Sequence, residues 1–293
     1  MSNFKNEKAT ETFEVLYLNP LSDPDYNKSF ADSLKQYKYD STSLDVACFQ
    51  PTTNLPKTLD NLGFRPYEGL VIEPIVQVAR LGSIANPKKK YDAMVIGCFY
   101  DPALIDSRTI SGDMAVIVPC QASCQIAVNV SNKFSIIIGM DYWEDQMRET
   151  VYNYGYRDHL VSFEILGIPA DQLPVDPTKT LAAIKQAAVD AVNKGAESIV
   201  LGCTLETGTF SEVETYLQGI FNCHIPVIDP SIAALKTAEH MAMNKGIWSM
   251  SHIHGMQQPS EGDLKKFGIY QTPYVLSNII NEPAKVSELE FDK

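Results

Sequence analysis

Two cysteines carry the chemistry that this chain can be asked about. Each closes a short apolar run, Tyr91-Asp-Ala-Met-Val-Ile-Gly-Cys98 and Ala196-Glu-Ser-Ile-Val-Leu-Gly-Cys203. A cysteine thiol titrates near 8.5 when unperturbed, and a helix N-terminus brings it within reach of neutral pH. Two thiols on opposite faces of a carbon acid can invert it: one removes the proton and the other returns a proton from the far side. In each direction one must be thiolate and the other thiol, so their titrations are coupled. Core packing is the plainer account of any single Gly-Cys at a strand end, because free cysteine is among the most buried residue types. It does not account for a matched pair at equivalent places.

The other candidates are weaker. Cys120 and Cys124 lie four apart at the start of a predicted helix and share a face. No histidine near them completes a metal site. Cys120 sits in a strand-to-helix turn and is expected to line the same pocket as Cys98. Cys48 and Cys223 read as packing residues. His252-Ile-His254 lacks a carboxylate or cysteine partner at ligating spacing, so no metal site is expected. Arg80, Arg108, Arg148 and Arg157 are read as solvated helix residues rather than as a clamp for a substrate carboxylate.

The elements that must hold Cys98 and Cys203 form an alternation of strands and helices. Strands are predicted at 13–19, 43–49, 93–97, 115–118, 134–139, 161–165, 198–202 and 227–228. Helices are predicted at 26–36, 68–85, 103–109, 121–130, 142–154, 179–194, 212–221 and 231–244. Alternation of this kind implies parallel sheet covered by helices. The chain also repeats itself at long range. Beyond the two Gly-Cys runs, Met-Ala-Val-Ile-Val-Pro119 parallels Pro-Val-Ile-Asp-Pro230, each a short strand, a proline and a helix.

The expected fold is therefore α/β, with two pseudo-symmetric lobes. Each lobe is a four-stranded, mostly parallel sheet flanked by helices, with the active site in the cleft between them. Residues 13–117 with 226–245 form the first lobe and 118–225 the second. Residues 246–293 are a C-terminal extension that wraps the surface or joins a subunit contact. Ligands of parallel α/β sheets bind beyond the carboxyl ends of the strands, which is where both Gly-Cys runs end.

At 293 residues, with 45% hydrophobic and 20% charged residues, the composition is that of a globular protein. A net charge of −12 opposes nucleic acid as a partner. No run is long enough to cross a bilayer, and the polar N-terminus lacks the apolar core of a secretory signal. A cytoplasmic protein with free thiols, a small-molecule substrate and neither nucleic acid nor membrane as partner is expected.

At Asp92-Ala-Met-Val-Ile-Gly-Cys-Phe-Tyr-Asp-Pro-Ala-Leu104 and Gly195-Ala-Glu-Ser-Ile-Val-Leu-Gly-Cys-Thr204 the sequence resembles the aspartate/glutamate/hydantoin racemase superfamily. It is most similar to the hydantoin/allantoin branch, in which Cys-Phe-x-Asp-Pro-Gly-Leu is typical. Asn19-Pro20 and Pro-Val-Ile-Asp-Pro230 fit the same pattern. The resemblance implies a racemase free of metal and of pyridoxal phosphate, with Cys98 and Cys203 as the acid–base pair. It also implies Asn19, Tyr100 and Thr204 as substrate-binding groups and a homo-oligomer.

The chain departs from the branch in two places. Leu21 replaces the second asparagine of the first motif, and Pro119-Cys-Gln-Ala122 stands where Gly-x-x-Glu-Ala is usual. Cys120 and Gln121 then shape one side of the cleft differently. The substrate implied is a hydantoin-like cyclic ureide, a 5-substituted hydantoin or allantoin, inverted at C5. An isomerase or lyase acting on another carbon acid, or an inactive ligand-binding homologue, is the alternative on the same scaffold.

Overall fold

A computed structural model of the chain describes residues 12–50, 65–84, 89–248, 261–266, 276–281 and 283–286. The first sheet holds β1 (Phe13–Asn19), β2 (Thr42–Cys48), β3 (Ala93–Ile96) and β4 (Ala115–Ile117), all parallel, in the order β4-β3-β1-β2. The second holds β5 (Phe134–Ile138), β6 (Leu160–Ile165), β7 (Ser198–Leu201) and β8 (Val227–Ile228), also parallel. Read from the other end, its order is β8-β7-β5-β6. Strand for strand the two sheets therefore share one topology, with β1 matching β5, β2 matching β6, β3 matching β7 and β4 matching β8. The duplicated Gly-Cys runs are the third strand of each.

The central strands are apolar without alternation, as AMVI in β3 and FSIII in β5, because helices cover both faces and every position is buried. Those helices are α1 (Pro24–Lys35), α2 (Arg65–Gly82), α3 (Leu104–Ile110), α4 (Pro119–Val130), α5 (Glu144–Asn153), α6 (Pro177–Asn193), α7 (Phe210–Phe221), α8 (Pro230–Met243) and the short α9 (Glu261–Lys266). Proline opens α1, α4, α6 and α8, where its fixed φ suits the helix and its missing N–H has no partner to lose. Asp23, Asp176 and Asp229 cap α1, α6 and α8 through their side chains. At α4 the N-cap is Val118, which has no side-chain acceptor.

Two departures from the expected architecture have clear causes. A fifth strand, β9 (Ala284–Val286), runs antiparallel to β2 through the pairs Leu44↔Val286 and Val46↔Ala284. Nearby, Phe49 bridges Ile280, and the Gln50 side chain donates to the Ser277 and Ile280 carbonyls at 3.1 Å. This part of the extension covers a sheet edge that would otherwise offer unpaired backbone groups. Residues 226–245, expected with the first lobe, are shared instead: β8 pairs with β7 in the second sheet, whereas α8 packs on β1, β3 and β4 of the first. Conversely α4, which leaves β4 of the first sheet, packs on β7 and β8 and against α8. A continuous apolar core accordingly spans both lobes, from Val15 and Ile96 to Ile136, Val200 and Ile228. No helix among the described residues is long and apolar enough to cross a membrane.

Candidate active site

In each sheet the chain leaves the first strand in one direction and the third strand lies on its other side, which creates a topological switch point at the carboxyl ends. Cys98 follows β3 and Cys203 follows β7 at these two points. The glycine before each cysteine is dictated by close approach to the first strand. Gly97 donates its N–H to Leu18 O at 2.7 Å, and Gly202 donates to Ile137 O at 2.6 Å. A Cβ at 97 would stand 2.3 Å from Tyr17 Cε1, and one at 202 would stand 2.4 Å from Ile137 O. Only a residue without a side chain lets the backbone run so near its neighbour before the cysteine turns away from the sheet.

Both thiols open into one cleft between the lobes. It is lined by Cys98, Phe99 and Tyr100 after β3, and by Gly202, Cys203 and Thr204 after β7. Trp143 follows β5, Ala170 follows β6, and Met147 reaches in from α5. The cleft is nearly closed, with about 20 Å³ that the centre of a water molecule can occupy, and it opens towards solvent. Cys98 is 4% exposed and Cys203 8%, so the cleft is narrow at the thiols. No cationic side chain lines it among the described residues. The Thr204 hydroxyl donates to Gly97 O at 3.4 Å, joining the two Gly-Cys segments across the lobe boundary.

Beneath them lies the fully buried Tyr17. Burial is the main cause that lifts its phenol above the ordinary value, opposed by the Ser231 hydroxyl and reinforced by Asp229, Cys98 and Cys203. Glu206, three residues after Cys203, is buried, and among the described residues only the nearby backbone amides of Cys203 and Gly202 favour its charged form. Burial and the charge of Asp229 hold its pKa well above the usual carboxylate range.

The electrostatics of Cys98 differ from the sequence expectation. A helix N-terminus was to bring its thiol towards neutrality, but α3 begins only at Leu104. Burial instead pushes Cys98 up to about 12, opposed by the backbone N–H of Tyr100 and reinforced by smaller upward contributions from Asp101 and Glu68. Cys98 therefore rests as a thiol at neutral pH. Cys203 itself is the N-cap of a 3-10 turn, Thr204–Glu206.

Of the predicted site residues, Cys98, Tyr100, Cys203 and Thr204 meet in the cleft. Asn19 stands one layer behind, its Nδ2 donating to Asn27 Oδ1 at 2.9 Å, with its own oxygen facing Gly97. Cys120 is fully buried and is not among the cleft-lining residues. Gln121 lines a separate, wider hollow with Arg65 and Tyr154, where its Oε1 accepts from Arg108 at 2.7 Å. Cys48 packs in the core as expected, but Cys223 is exposed just beyond α7. None of the four arginines reaches the thiols; Arg80 binds Gln77, and Arg148 pairs with Glu144. His252 and His254 lie outside the described residues.

Sequence reasoning missed Phe99, Trp143, Met147 and Ala170. The rule that loops after parallel strands build sites would have found Trp143, since it sits four residues beyond Gly139 at the end of β5. Its Nε1 is buried and has no hydrogen-bond partner among the described residues.

Known proteins resemble the chain in sequence and in fold. A hydantoin racemase of Rhizobium meliloti is 34% identical over 149 residues, which is 50% of this chain and 59% of that enzyme. The chain thus aligns with about three fifths of the relative's length. The structure of an allantoin racemase from Klebsiella pneumoniae superposes with a TM-score of 0.73 at 18% identity, covering 90% of this chain and 100% of that one. One from Pseudomonas fluorescens gives 0.68 at 16%, covering 85% and 99%. Residues 15–238 match the family described as Asp/Glu/Hydantoin racemase, and the chain belongs to that family.

Proposed function

We propose that this protein is a cofactor-independent racemase that inverts C5 of a hydantoin-like cyclic ureide. The observation that carries the proposal is the opening of Cys98 and Cys203, each from the third strand of its own sheet, into one narrow cleft. A planar ring seated between them presents one face to each sulfur. Cys203 takes the C5 proton of one enantiomer while Cys98, held as a thiol by burial, delivers a proton to the opposite face. For the other enantiomer the roles exchange. Charge that develops on the ring carbonyl is met by hydrogen-bond donors of the cleft, to which we assign the Trp143 indole N–H, buried and without a hydrogen-bond partner among the described residues.

Among the described residues no cationic side chain lines the cleft, which favours a neutral substrate over an amino acid with its charged carboxylate. The test is proton NMR in D₂O with enantiopure 5-substituted hydantoins and allantoin. Loss of the C5–H signal with parallel loss of optical rotation supports the proposal. Cys98→Ser and Cys203→Ser are each expected to abolish inversion, and near-normal rates in either would overturn the two-thiol mechanism.

A further inference from the structure

The two halves share a second feature besides their thiols. In the second half, Asp229 caps α8, its Oδ1 accepting the N–H groups of Ser231 at 2.9 Å and Ile232 at 3.1 Å. Its Oδ2 accepts the Gly208 N–H at 2.7 Å, and the Thr207 hydroxyl lies 3.5 Å from Oδ1. Both partners belong to the loop that follows Cys203. One carboxylate thus ties the second and third amides of the helix to the cysteine loop.

In the first half the helix equivalent to α8 is α4, and its N-cap, Val118, can make no such bond. The carboxylate comes instead from the cysteine loop. Asp101, three residues after Cys98, accepts the Cys120 N–H on Oδ1 at 3.0 Å and the Gln121 N–H on Oδ2 at 2.9 Å. These are again the second and third amides after the N-cap. The Tyr154 hydroxyl, just beyond α5, donates to the same Oδ2 at 2.8 Å. To reach them Asp101 adopts a left-handed φ of 54°, while its own N–H donates to Cys98 O at 3.0 Å. A capping side chain at 118 would have satisfied the helix without that conformation, which side chains other than Asn and Asp seldom adopt. The two loops differ in sequence, Phe-Tyr-Asp against Thr-Leu-Glu-Thr-Gly, yet each ends tied to the same two helix amides.

We infer that Asp101 and Asp229 are paired positioning residues, one on the loop and one on the helix, that fix the Cys98 and Cys203 loops against the helix N-termini so that the two thiols face one substrate. Neither carboxylate lines the cleft. They act through the loops, and their consequence for rate rests on the racemase reading above. Asp101 is also, with Glu68 on α2, one of two carboxylates that raise Cys98. The groups facing Asp101 itself are Arg108 on α3, Cys120 on α4 and Tyr154.

The test compares Asp101→Asn, Asp101→Ala and Asp229→Asn in the full chain. Asparagine tolerates the left-handed backbone and keeps one acceptor oxygen, so it separates loss of the clamp from loss of the fold. By amide hydrogen exchange, the Asp101 variants are expected to speed exchange at 99–101 and 120–121 and leave 204–208 unchanged, with Asp229→Asn doing the reverse. In racemisation, kcat is expected to fall about 100-fold for Asp101→Ala and about 10-fold for Asp101→Asn with KM nearly constant, since small misplacement of a reacting group costs rate rather than binding. Cysteine ¹³Cβ NMR is expected to show Cys98 titrating at lower pH once the Asp101 charge is gone, a change that a purely structural residue would not produce. Exchange that rises equally in both loops, an unmoved Cys98 titration, or full kcat in Asp101→Ala would each overturn the inference. A wild-type protein inert on every ureide would overturn the racemase reading alone, because exchange and titration still decide the clamp.

Discussion

The glycines before the two cysteines allow a quantitative test of how the thiols are held. Alanine at 97 would place its methyl 2.3 Å from Tyr17 Cε1 and 3.1 Å from both Asn19 Oδ1 and Leu18 O. At 202 the methyl would meet Ile137 O at 2.4 Å, Ile138 Cγ2 at 2.6 Å and Ile136 Cγ2 at 2.9 Å. The two positions differ in what must yield. Tyr17 is a side chain, although buried and packed on Phe30 with ring centroids 4.9 Å apart. Ile137 O belongs to the central strand of the second sheet and already accepts the Gly202 N–H at 2.6 Å. Overpacking a core costs about 1–3 kcal/mol, so Gly97→Ala is expected near the lower end and Gly202→Ala at or above the upper.

At roughly 2 °C per kcal/mol for a chain of this size, scanning calorimetry is expected to show Tm lowered by about 2–4 °C and by about 6 °C or more. A second arm separates the causes. Tyr17→Leu removes the offending atom, so a cycle with Gly97→Ala is expected to return about 1 kcal/mol of favourable coupling. Ile138→Ala removes the Cγ2 at 2.6 Å but leaves the Ile137 carbonyl at 2.4 Å, so with Gly202→Ala it is expected to return only a minor part of the loss. If Gly202→Ala melts within about 1 °C of wild type, the close-approach account of the Gly-Cys motif is wrong.

Burial raises Asp101 from 3.8 to about 7, so its folded form holds a proton that the unfolded chain has lost. Wild-type stability is therefore expected to fall between about pH 4 and about pH 7 relative to Asp101→Asn, by about 4 kcal/mol in all, and to level off above. Urea midpoints across that range check it, and a constant gap between the two proteins would contradict it. Glu206 is raised in the same sense, so Glu206→Gln is expected to gain on wild type progressively as pH rises above the ordinary carboxylate range. Parallel Tm profiles for the two would show that the buried carboxyl is not held neutral. Trp143→Phe removes an indole N–H that has no partner among the described residues while keeping an aromatic ring on the cleft wall. Its kcat is expected to fall at least about tenfold with KM little changed, as for loss of a donor aimed at developing charge. An unaltered kcat would remove Trp143 from the proposed donors.

Much of this arrangement is legible in the sequence because period and punctuation agree. The runs ending at Ile96 and Leu201 are apolar, short and followed by Gly-Cys, and both become third strands of matching sheets. Pro119 and Pro230 mark the helix starts within two residues. What the sequence conceals depends on long-range partners. Ala284–Val286 becomes a strand only because β2 presents an open edge, and three residues after a proline carry no period of their own. Tyr100 and Thr204 were readable through the resemblance at the two cysteine motifs, whereas Met147 and Ala170 reach the cleft through packing of the second lobe. The thiol of Cys98 was misjudged because local chain direction suggests a helix dipole, while desolvation by residues distant in sequence decides the outcome.

The exchange of helices between lobes has a consequence for cooperativity. Because α4 completes the second sheet and α8 the first, neither half of the chain buries its own final helix. A half-length ancestor with this layout would have covered its sheet with the helix of a second copy, as in a swapped dimer, before fusion made the exchange internal. Cut between the halves, each fragment would expose one sheet face and leave one helix unpartnered. The two lobes are accordingly expected to melt together rather than in sequence, with the cleft they share lost when either unfolds.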